Sequence, residues 1–298
     1  MEELNQVKQQ IITFVEDCGD ARSLELLDLL SQGKMLRSKL ILKIAGISDE
    51  SIKLCAVVEM IQSASLLHDD VIDEADTRRG MPSINAIFDN KTSIMFGDIL
   101  YSKAFTELTK MDKDVAYEIA SSVTKLSIGE LHDVEMTDTF NTSYDKYFNM
   151  IYNKTASLIE SSAKSAAILA NKDKEAFALY GKNLGLAFQM IDDILDITQD
   201  SQTLGKPAML DFVEGKVTIP YLLLHERIDN KQKLESFYKK SLTSDEQKWI
   251  KDEMIKHNVL IDSIAQAQKL GFEAVDAIKD DENEDLKSIM NQMINREF

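Results

Sequence analysis

Proline and glycine are scarce in this chain of 298 residues, which has three prolines and eleven glycines. Because both residues interrupt regular helices, their scarcity favours long helices over a sheet-rich fold with many turns. No run of about eighteen apolar residues occurs, so the sequence predicts no membrane-spanning helix. The amino-terminal segment MEELNQVKQQ also lacks the basic and then apolar pattern of a secretory signal peptide.

Cysteines and basic side chains are also few. Cys18 and Cys55 make no disulfide framework in a chain of this size, and a cytoplasmic location is expected. The 34 lysines and arginines are outnumbered by 51 acidic residues, which gives a formal net charge of −17. This charge argues against a nucleic-acid partner. It also means that an anionic substrate must be attracted locally, by bound cations and a few basic side chains.

Apolar residues make up 44% of the chain, which is enough for a sizeable core. The length lies near the upper limit for one core, and no linker, low-complexity tract or short repeat divides the sequence. Residues 1–298 are therefore predicted to form a single all-α domain. The predicted helices cover residues 2–30, 51–73, 92–110, 112–136, 144–170 and 173–198, with another helix after Gly33 and three or four in residues 217–298. The predicted loops lie at residues 77–83 and 205–216.

Two aspartate clusters of the form D-D-x-x-D lie 123 residues apart, each in an apolar segment with a helical pattern. The first and last aspartates of a cluster are four positions apart, so they share one helix face. A multivalent cation would relieve the repulsion between such carboxylates, and oxygen ligands indicate Mg²⁺, which usually bridges carboxylates to substrate phosphates. The pattern predicts a chamber with two facing acidic walls and a metal-bound diphosphate between them. The clusters are Asp69, Asp70 and Asp73, and Asp192, Asp193 and Asp196.

Basic residues follow both clusters in the predicted loops. A single acidic cluster is equally well explained as a solvated helix end with capping arginines, but a second cluster in the same apolar setting favours a metal site. His68, beside Asp69, is interpreted as a hydrogen-bond partner, because Mg²⁺ prefers oxygen ligands. Lys34 and Arg37 at a helix start form a further, weak candidate site for an anion. The basic loop residues are Arg78, Arg79, Lys206 and Lys216.

From about residue 33 to residue 220 the sequence resembles the trans-polyprenyl diphosphate synthases. The resemblance implies an isoprenoid-synthase-type helical bundle around a central cavity, usually assembled as a homodimer. The matching motifs, in order, are Gly33-Lys34-x-x-Arg37, Leu67-His68-Asp69-Asp70-x-x-Asp73 with Arg78-Arg79-Gly80, Gly97-Asp98, Lys154-Thr155, Phe188-Gln189-x-x-Asp192-Asp193-x-x-Asp196, and Gly205-Lys206 through Gly215-Lys216.

The same resemblance implies a Mg²⁺-dependent condensation of isopentenyl diphosphate with an allylic diphosphate, and a role for each matching residue. Two to three Mg²⁺ ions would be held by the six aspartates of the two clusters. The allylic diphosphate would be bound by Arg78, Lys154, Lys206 and Lys216. Isopentenyl diphosphate would be bound by Lys34, Arg37, Arg79 and Gln62, which stands where the family often has histidine. Thr155 and Gln189 would point oxygen dipoles at the developing carbocation.

One departure from the family pattern lies between Lys206 and Lys216, where the family commonly has a glycine and paired acids. Here one acid, Asp211, remains. The resemblance therefore gives less support for the residues that would hold the ligands of the third metal in place, and the expected activity is unaffected.

Chain length is expected to depend on the helix that carries the first cluster, because the hydrocarbon tail would grow along it, away from the metals. The wall below the metals would then contain Ala64 and Ser65, which are small, whereas short-chain members have bulky aromatic residues there. A hexaprenyl to octaprenyl product for quinone side chains is expected, with transient membrane contact at release. The candidates for the tunnel floor are Ile61, Met111, Ile119 and Val123.

Several alternatives stay open. A shorter-chain synthase, making geranylgeranyl or farnesyl diphosphate, would share every motif. A terpene cyclase would bind one diphosphate and need one strong D-D-x-x-D. A non-catalytic partner subunit would lose the aspartates, whereas this chain keeps both sets. An acidic helical scaffold with two fortuitous clusters is the remaining possibility.

Overall fold

The computed structural model describes residues 2–31, 33–198, 209–281 and 283–294, which are almost entirely helical and confirm the all-α prediction. A π-helical turn, Tyr152–Ala156, joins the helix Tyr144–Ile151 (α8) to the helix Ser157–Leu169 (α9). The helices are α1 (Glu2–Glu16), α2 (Ala21–Leu29), α3 (Leu36–Ala45), α4 (Asp49–Ile72), α5 (Ile84–Ile87), α6 (Asn90–Leu108), α7 (Lys113–Met136), α8 (Tyr144–Ile151), α9 (Ser157–Leu169), α10 (Lys174–Thr198), α11 (Leu210–Glu214), α12 (Ile219–Arg227), α13 (Lys231–Ser236), α14 (Ser244–Lys256), α15 (Val259–Ala277) and α16 (Glu284–Ile294).

The described residues group into two compact units, Met1–Val123 with Ser161–Ala178, and Thr124–Glu160 with Leu179–Phe298. In the first unit α4 packs against α6, α1 and α3. In the second unit α12 packs against α8, α14 and α15, and α15 packs against α16. The single domain over residues 1–298 stays a prediction.

Helix α4 has the sequence features that a central helix needs. Ser48 and Ser51 form a capping box that satisfies free N–H groups at its start. Small and apolar residues then occupy most positions, so nearly every face of the helix is buried against its neighbours. Polar residues accumulate at its carboxyl end, which carries the first aspartate cluster.

The structure differs from the sequence predictions in several places. The predicted helix 144–170 is interrupted by the π-helical turn, and the described part of the predicted loop 205–216 contains α11. The predicted helix 2–30 is two helices, because Gly19 adopts φ 71° and the side chain of Asp20 caps α2 through the N–H of Ser23. The predicted loop 77–83 contains a two-stranded antiparallel hairpin, β1 (Thr77–Arg78) and β2 (Met81–Pro82). The described residues after 217 form five helices instead of three or four. Within the described chain, no helix has the length and hydrophobicity that a bilayer-spanning segment requires.

Candidate active site

The first aspartate cluster lies where α4 ends and the chain becomes exposed. Asp70 is 4% exposed, Asp69 is half-buried, and Asp73 follows the last residue of the helix and is exposed. The N–H of Asp73 still donates to the carbonyl of Asp69 at 2.8 Å, so Asp73 continues the helical turn. The cluster therefore buries its middle carboxylate and leaves the outer two accessible to a ligand.

Arg78 of the hairpin neutralises the buried carboxylate. Its Nε and Nη2 lie 2.7 and 2.6 Å from Asp70 Oδ1. Burial raises the pKa of Asp70, and the Arg78 guanidinium opposes that rise. The Asn85 side chain donates to the carbonyl of Ala75 at 3.0 Å and to that of Asp70 at 3.3 Å. These contacts hold the hairpin against the end of α4.

A cavity of about 210 Å³ opens beside this cluster inside the first unit. The Arg79 Nη1 donates to the carbonyl of Ser31 at 2.9 Å, and a Cβ added to Gly33 would lie 2.9 Å from Arg79 Nη2. Gly33 therefore makes room for the guanidinium. Lys34 and Arg37 are not among the described residues that line the cavity. The polar lining residues include Glu59, Gln62, Asp70, Arg78 and Arg79, and the apolar ones include Ile11, Ile12, Leu27, Leu30 and Leu66.

Glu59 is a residue of this region that the sequence reasoning missed. Its Oε1 accepts hydrogen bonds from Ser38 Oγ at 2.6 Å and from Ser38 N at 3.3 Å. Burial lowers the pKa of Arg37, Glu59 opposes this change and the charge of Arg79 adds to it, so that the pKa is about 10. The Nε of Arg37 is buried without a hydrogen-bond partner in the described chain. The available signal was an acidic residue inside the otherwise apolar segment 51–68.

His68 packs between α4 and α6. Its Nε2 lies 3.2 Å from the carbonyl of Ile94 and 3.5 Å from Asp98 Oδ1, and its ring is 5.6 Å from that of Tyr101. A Cβ on Gly97 would lie 2.7 Å from the Cδ2 of His68. Glycine is therefore required where α6 passes the His68 ring.

The second cluster lies near the carboxyl end of α10. Its first two aspartates repeat the burial of the first two in the other cluster, whereas its third aspartate is buried. Asp192 is half-buried, whereas Asp193 is 3% and Asp196 is 2% exposed. The Asp193 Oδ2 accepts a hydrogen bond from the Tyr147 hydroxyl at 2.6 Å, and its Oδ1 accepts one from Gln189 Nε2 at 2.9 Å. In each cluster, therefore, the second aspartate is buried and engaged within the protein.

The Asp193 carboxylate is surrounded by other acids and by neutral donors. Burial and the charge of Asp211 raise the pKa of Asp193 to about 8, while the hydrogen bonds from Tyr147 and Gln189 oppose the rise. Burial and the Asp193 charge raise the pKa of Tyr147 well above its usual range, so its hydroxyl remains a donor. The Gln189 Oε1 accepts a hydrogen bond from Thr155 Oγ1 at 2.9 Å. Thr155 and Gln189, which the sequence paired, are thus in direct contact.

Asp196 anchors the segment that begins α11. Its carbonyl accepts from the N–H of Met209 at 2.8 Å, and its Oδ2 accepts from the N–H of Asp211 at 3.3 Å. The N–H of Lys216 donates to the carbonyl of Asp211 at 2.7 Å, and the Lys216 ammonium lies 3.0 Å from Glu214. Lys206 lies outside the described residues.

Lys154 lies in the π-helical turn, a feature that often marks functional sites. Its ammonium is 2.6 Å from Asp133 Oδ2 and 2.8 Å from Glu130 Oε2, two buried acids on α7. Sequence reasoning missed both, although their i, i+3 spacing, which places them on one helix face, was the available signal. A Cβ on Gly129 would lie 2.6 Å from Lys154 Cα, and one on Gly185 would lie 2.5 Å from Ala156 Cα. Two glycines therefore let α7 and α10 pack directly on the turn.

The donor chemistry of both clusters fits Mg²⁺. Among the described residues, no three or more Asp, Glu, His or Cys side chains converge on a point that could hold a metal ion. Mg²⁺ seldom needs such a cage, because it usually takes one or two carboxylates, water and substrate phosphates. Asp69, Asp73 and Asp192 are the cluster aspartates with the most open carboxylates, and they offer oxygen only.

The residues predicted to control chain length are buried. Ala64 is 0% and Ser65 is 4% exposed, and the Ser65 hydroxyl donates to the carbonyl of Gln62 at 2.9 Å. Ile61, Ile119 and Val123 are also buried, whereas Met111 precedes α7 and is half-buried. The hydrocarbon tunnel and its floor stay predictions.

Comparison with known proteins gives a consistent result. A family model described as "Polyprenyl synthetase" matches residues 24–254. A "Prenyl transferase" from Synechocystis sp. is 39% identical over 207 residues, 65% of this chain and 64% of that protein, so the match spans just under two thirds of that relative's length. An octaprenyl diphosphate synthase from Haemophilus influenzae is 35% identical over 77% of this chain and 71% of its own. The crystal structure of an octaprenyl pyrophosphate synthase from Helicobacter pylori has 41% identity and a TM-score of 0.93, with 99% of both chains covered.

Proposed function

The chain belongs to the polyprenyl synthetase family, and from this we propose that it condenses isopentenyl diphosphate with an allylic diphosphate, such as farnesyl diphosphate, in a Mg²⁺-dependent reaction. The observation that carries the proposal is the repeated cluster: in each one the first aspartate is half-buried, whereas the second is buried and hydrogen-bonded within the protein. Mg²⁺ bound at Asp69, Asp73 and Asp192 would neutralise and orient the departing diphosphate. The metal roles of Asp70, Asp193 and Asp196, and the number of two to three ions, remain part of this proposal.

We propose the cavity of the first unit as the site for isopentenyl diphosphate. Arg79 and Gln62 line this cavity. Arg37 has a buried Nε with no protein partner in the described chain, so a phosphate oxygen would satisfy a donor that is costly to leave bare. Lys34 is exposed nearby in sequence and would add attraction for the anion.

Departure of the allylic diphosphate leaves a carbocation that needs oxygen dipoles and no water. We assign the dipoles to Thr155 and Gln189, which are hydrogen-bonded to each other. Arg78, Lys154, Lys206 and Lys216 would stabilise the leaving diphosphate electrostatically. The proton lost from the condensation product would pass to the released diphosphate. Apolar helical surroundings would keep water from quenching the cation.

A long product, hexaprenyl to octaprenyl, completes the proposal. Relatives named octaprenyl and solanesyl diphosphate synthases support it, as do the small side chains of Ala64 and Ser65 in α4. A quinone side chain is the use we propose for such a product. A homodimer, a cytoplasmic location and transient membrane contact at product release belong to the same proposal.

One incubation tests this function. The purified chain, Mg²⁺, farnesyl diphosphate and labelled isopentenyl diphosphate should yield all-trans prenyl diphosphates of six to eight isoprene units. Products stopping at twenty carbons would indicate a shorter-chain synthase. A cyclic hydrocarbon formed without incorporated label would indicate a terpene cyclase. No conversion by the chain alone would contradict the proposal and leave the non-catalytic subunit or the scaffold.

A further inference from the structure

Four side chains of the second unit form one hydrogen-bonded row. Thr155 Oγ1 donates to Gln189 Oε1 at 2.9 Å, Gln189 Nε2 donates to Asp193 Oδ1 at 2.9 Å, and the Tyr147 hydroxyl donates to Asp193 Oδ2 at 2.6 Å. Tyr147 is fully buried and Asp193 is 3% exposed. The row joins α8, the π-helical turn and α10, and Tyr147 was not selected from the sequence.

The row has a direction that its two ends determine. Both Asp193 oxygens accept hydrogen bonds, Oδ1 from Gln189 and Oδ2 from Tyr147, so Asp193 requires the –NH₂ group of Gln189 on its side. The amide oxygen of Gln189 must then face Thr155, and it takes the single hydroxyl proton of that residue. The lone pairs of the Thr155 oxygen are thereby left for another partner. Without the hydrogen bond to Asp193, the Gln189 amide could rotate so that its –NH₂ group faced Thr155. The Thr155 oxygen would then accept that hydrogen bond, and its hydroxyl proton would point away from Gln189.

Tyr147 secures the other side of the carboxylate. The backbone N–H of Ile219 interacts with the phenolic oxygen of Tyr147, which leaves the hydroxyl proton for Asp193. Both Asp193 oxygens therefore accept a hydrogen bond, and the carboxyl group cannot rotate without losing one of them.

We propose that Tyr147 and Asp193 are positioning residues, which fix the amide of Gln189 and, through it, the oxygen of Thr155 that faces the developing carbocation. The proposal rests on the proposed function, because the carbocation exists only in that reaction. It separates the neighbouring aspartates by role: Asp192 would bind the metal, whereas Asp193 would orient the row in place of the metal role that the family resemblance gives it.

The test compares two buried tyrosines of the second unit that each donate one short hydrogen bond. Tyr147→Phe removes the donor to Asp193. Tyr180→Phe, the matched control, removes a 2.7 Å hydrogen bond to the carbonyl of Leu286, away from the row. Both variants lose a buried hydrogen bond of similar worth, so a purely structural role would affect them alike. The measurements are kcat, KM for both substrates and the Mg²⁺ concentration that gives half-maximal rate.

The expected result is a fall in kcat of about tenfold for Tyr147→Phe, the loss of about one buried hydrogen bond in the transition state. Both KM values and the Mg²⁺ dependence should stay within about twofold of the wild type, since substrate and metal contacts are untouched. Tyr180→Phe should keep the wild-type kcat. In a Gln189→Ala background, Tyr147→Phe should change kcat by less than about twofold, because its effect passes through Gln189.

Other outcomes overturn the inference. Equal kcat values for the two tyrosine variants would make Tyr147 merely structural. A large shift in the Mg²⁺ dependence would make Asp193 a metal ligand that Tyr147 supports. If the effects of Tyr147→Phe and Gln189→Ala on kcat were fully additive, Tyr147 would not act through Gln189. In each case the wild-type enzyme remains active, so the proposed function survives; an inactive wild type would instead contradict the proposed function.

Discussion

At the scale of single residues, the two clusters differ in how they stabilise a buried aspartate. Asp70 is neutralised by the guanidinium of Arg78, whereas Asp193 receives hydrogen bonds from the uncharged Tyr147 and Gln189. A buried carboxylate without a cation is costly in its charged form. The burial of Asp193 therefore lowers the stability of the folded protein, while its hydrogen bonds fix the orientation of the carboxyl group.

The raised pKa of Asp193, about 8, predicts how stability depends on pH. Between its ordinary value near 4 and about 8, the folded protein keeps a proton that the unfolded chain has released. Stability therefore falls as the pH rises through this window. In metal-free buffer, the melting temperature of the wild type should fall more between pH 5 and pH 8 than that of Asp193→Asn.

An exposed aspartate of α14 provides the control for this measurement. Asp252→Asn should keep the wild-type dependence on pH, because Asp252 lies on the surface. If the melting temperatures of the wild type and Asp193→Asn changed with pH in parallel, Asp193 would not be the group that stays protonated in the folded protein.

The residues that the sequence revealed, and those it did not, differ in how they are distributed. The aspartates and the basic loop residues form dense local patterns, so they were found without a structure. Glu59, Asp133 and Tyr147 are single polar residues in helical segments, and their significance lies in partners at sequence separations of 21 to 46 residues. Only the fold shows such pairs.

At the scale of elements, the π-helical turn is the feature that periodicity could not predict. Residues 144–170 were predicted as one helix, and a turn with one extra residue leaves the apolar pattern on both sides almost unchanged. The turn matters because it carries Lys154 and Thr155 together. The backbones of α7 and α10 approach it at Gly129 and Gly185.

Added methyl groups at these glycines should disturb the turn. Gly129→Ala and Gly185→Ala would each press a Cβ onto backbone atoms and should cost about 1–3 kcal/mol of stability. The turnover rate should fall together with the stability, because the added Cβ would displace the turn that carries Lys154 and Thr155. Calorimetry and steady-state kinetics measure the two effects.

Gly271→Ala is the matched control for these variants, since its Cβ would meet only the flexible ends of Ile294 and Met290. It should retain wild-type turnover. If Gly129→Ala and Gly185→Ala were as active as Gly271→Ala, the turn would not position the catalytic side chains.

Helix α4 carries the prediction about product length. Ala64→Phe should shorten the product, because a ring would fill the proposed tunnel below the first cluster, and Ala64→Leu should shorten it less. Ala56→Leu, at another fully buried alanine of α4 two turns earlier, is the control. Chromatography of the labelled lipids gives the lengths; an unchanged product in Ala64→Phe would refute the tunnel direction.

At the scale of the whole molecule, the fold class followed from composition and periodicity, and the family from ordered motifs across most of the chain. The hairpin at residues 77–82 escaped prediction because two-residue strands have no periodicity to detect. Lys206 lies outside the described residues, and its role remains a proposal. The assembly state depends on surface residues, which the motifs do not describe.

The proposed homodimer can be tested on α7, which exposes Ile128, Leu131 and Val134 three positions apart. Light scattering should give twice the chain mass, and Leu131→Glu should shift it towards the monomer, because a charge would be buried at the contact. Phe272→Glu, at an exposed apolar residue of α15, should leave the dimer intact. Dissociation by Phe272→Glu alone would place the interface elsewhere.

The account depends most on the claim that both aspartate clusters serve the departure of one diphosphate. A double-mutant cycle of Asp69→Ala and Asp192→Ala, with kcat as the readout and Asp252→Ala as the control, tests it most directly. We expect each single variant to lose about three orders of magnitude or more, and the double variant to lose far less than the product of both losses, because the two act on the same step. Near-normal turnover in both single variants would contradict the account.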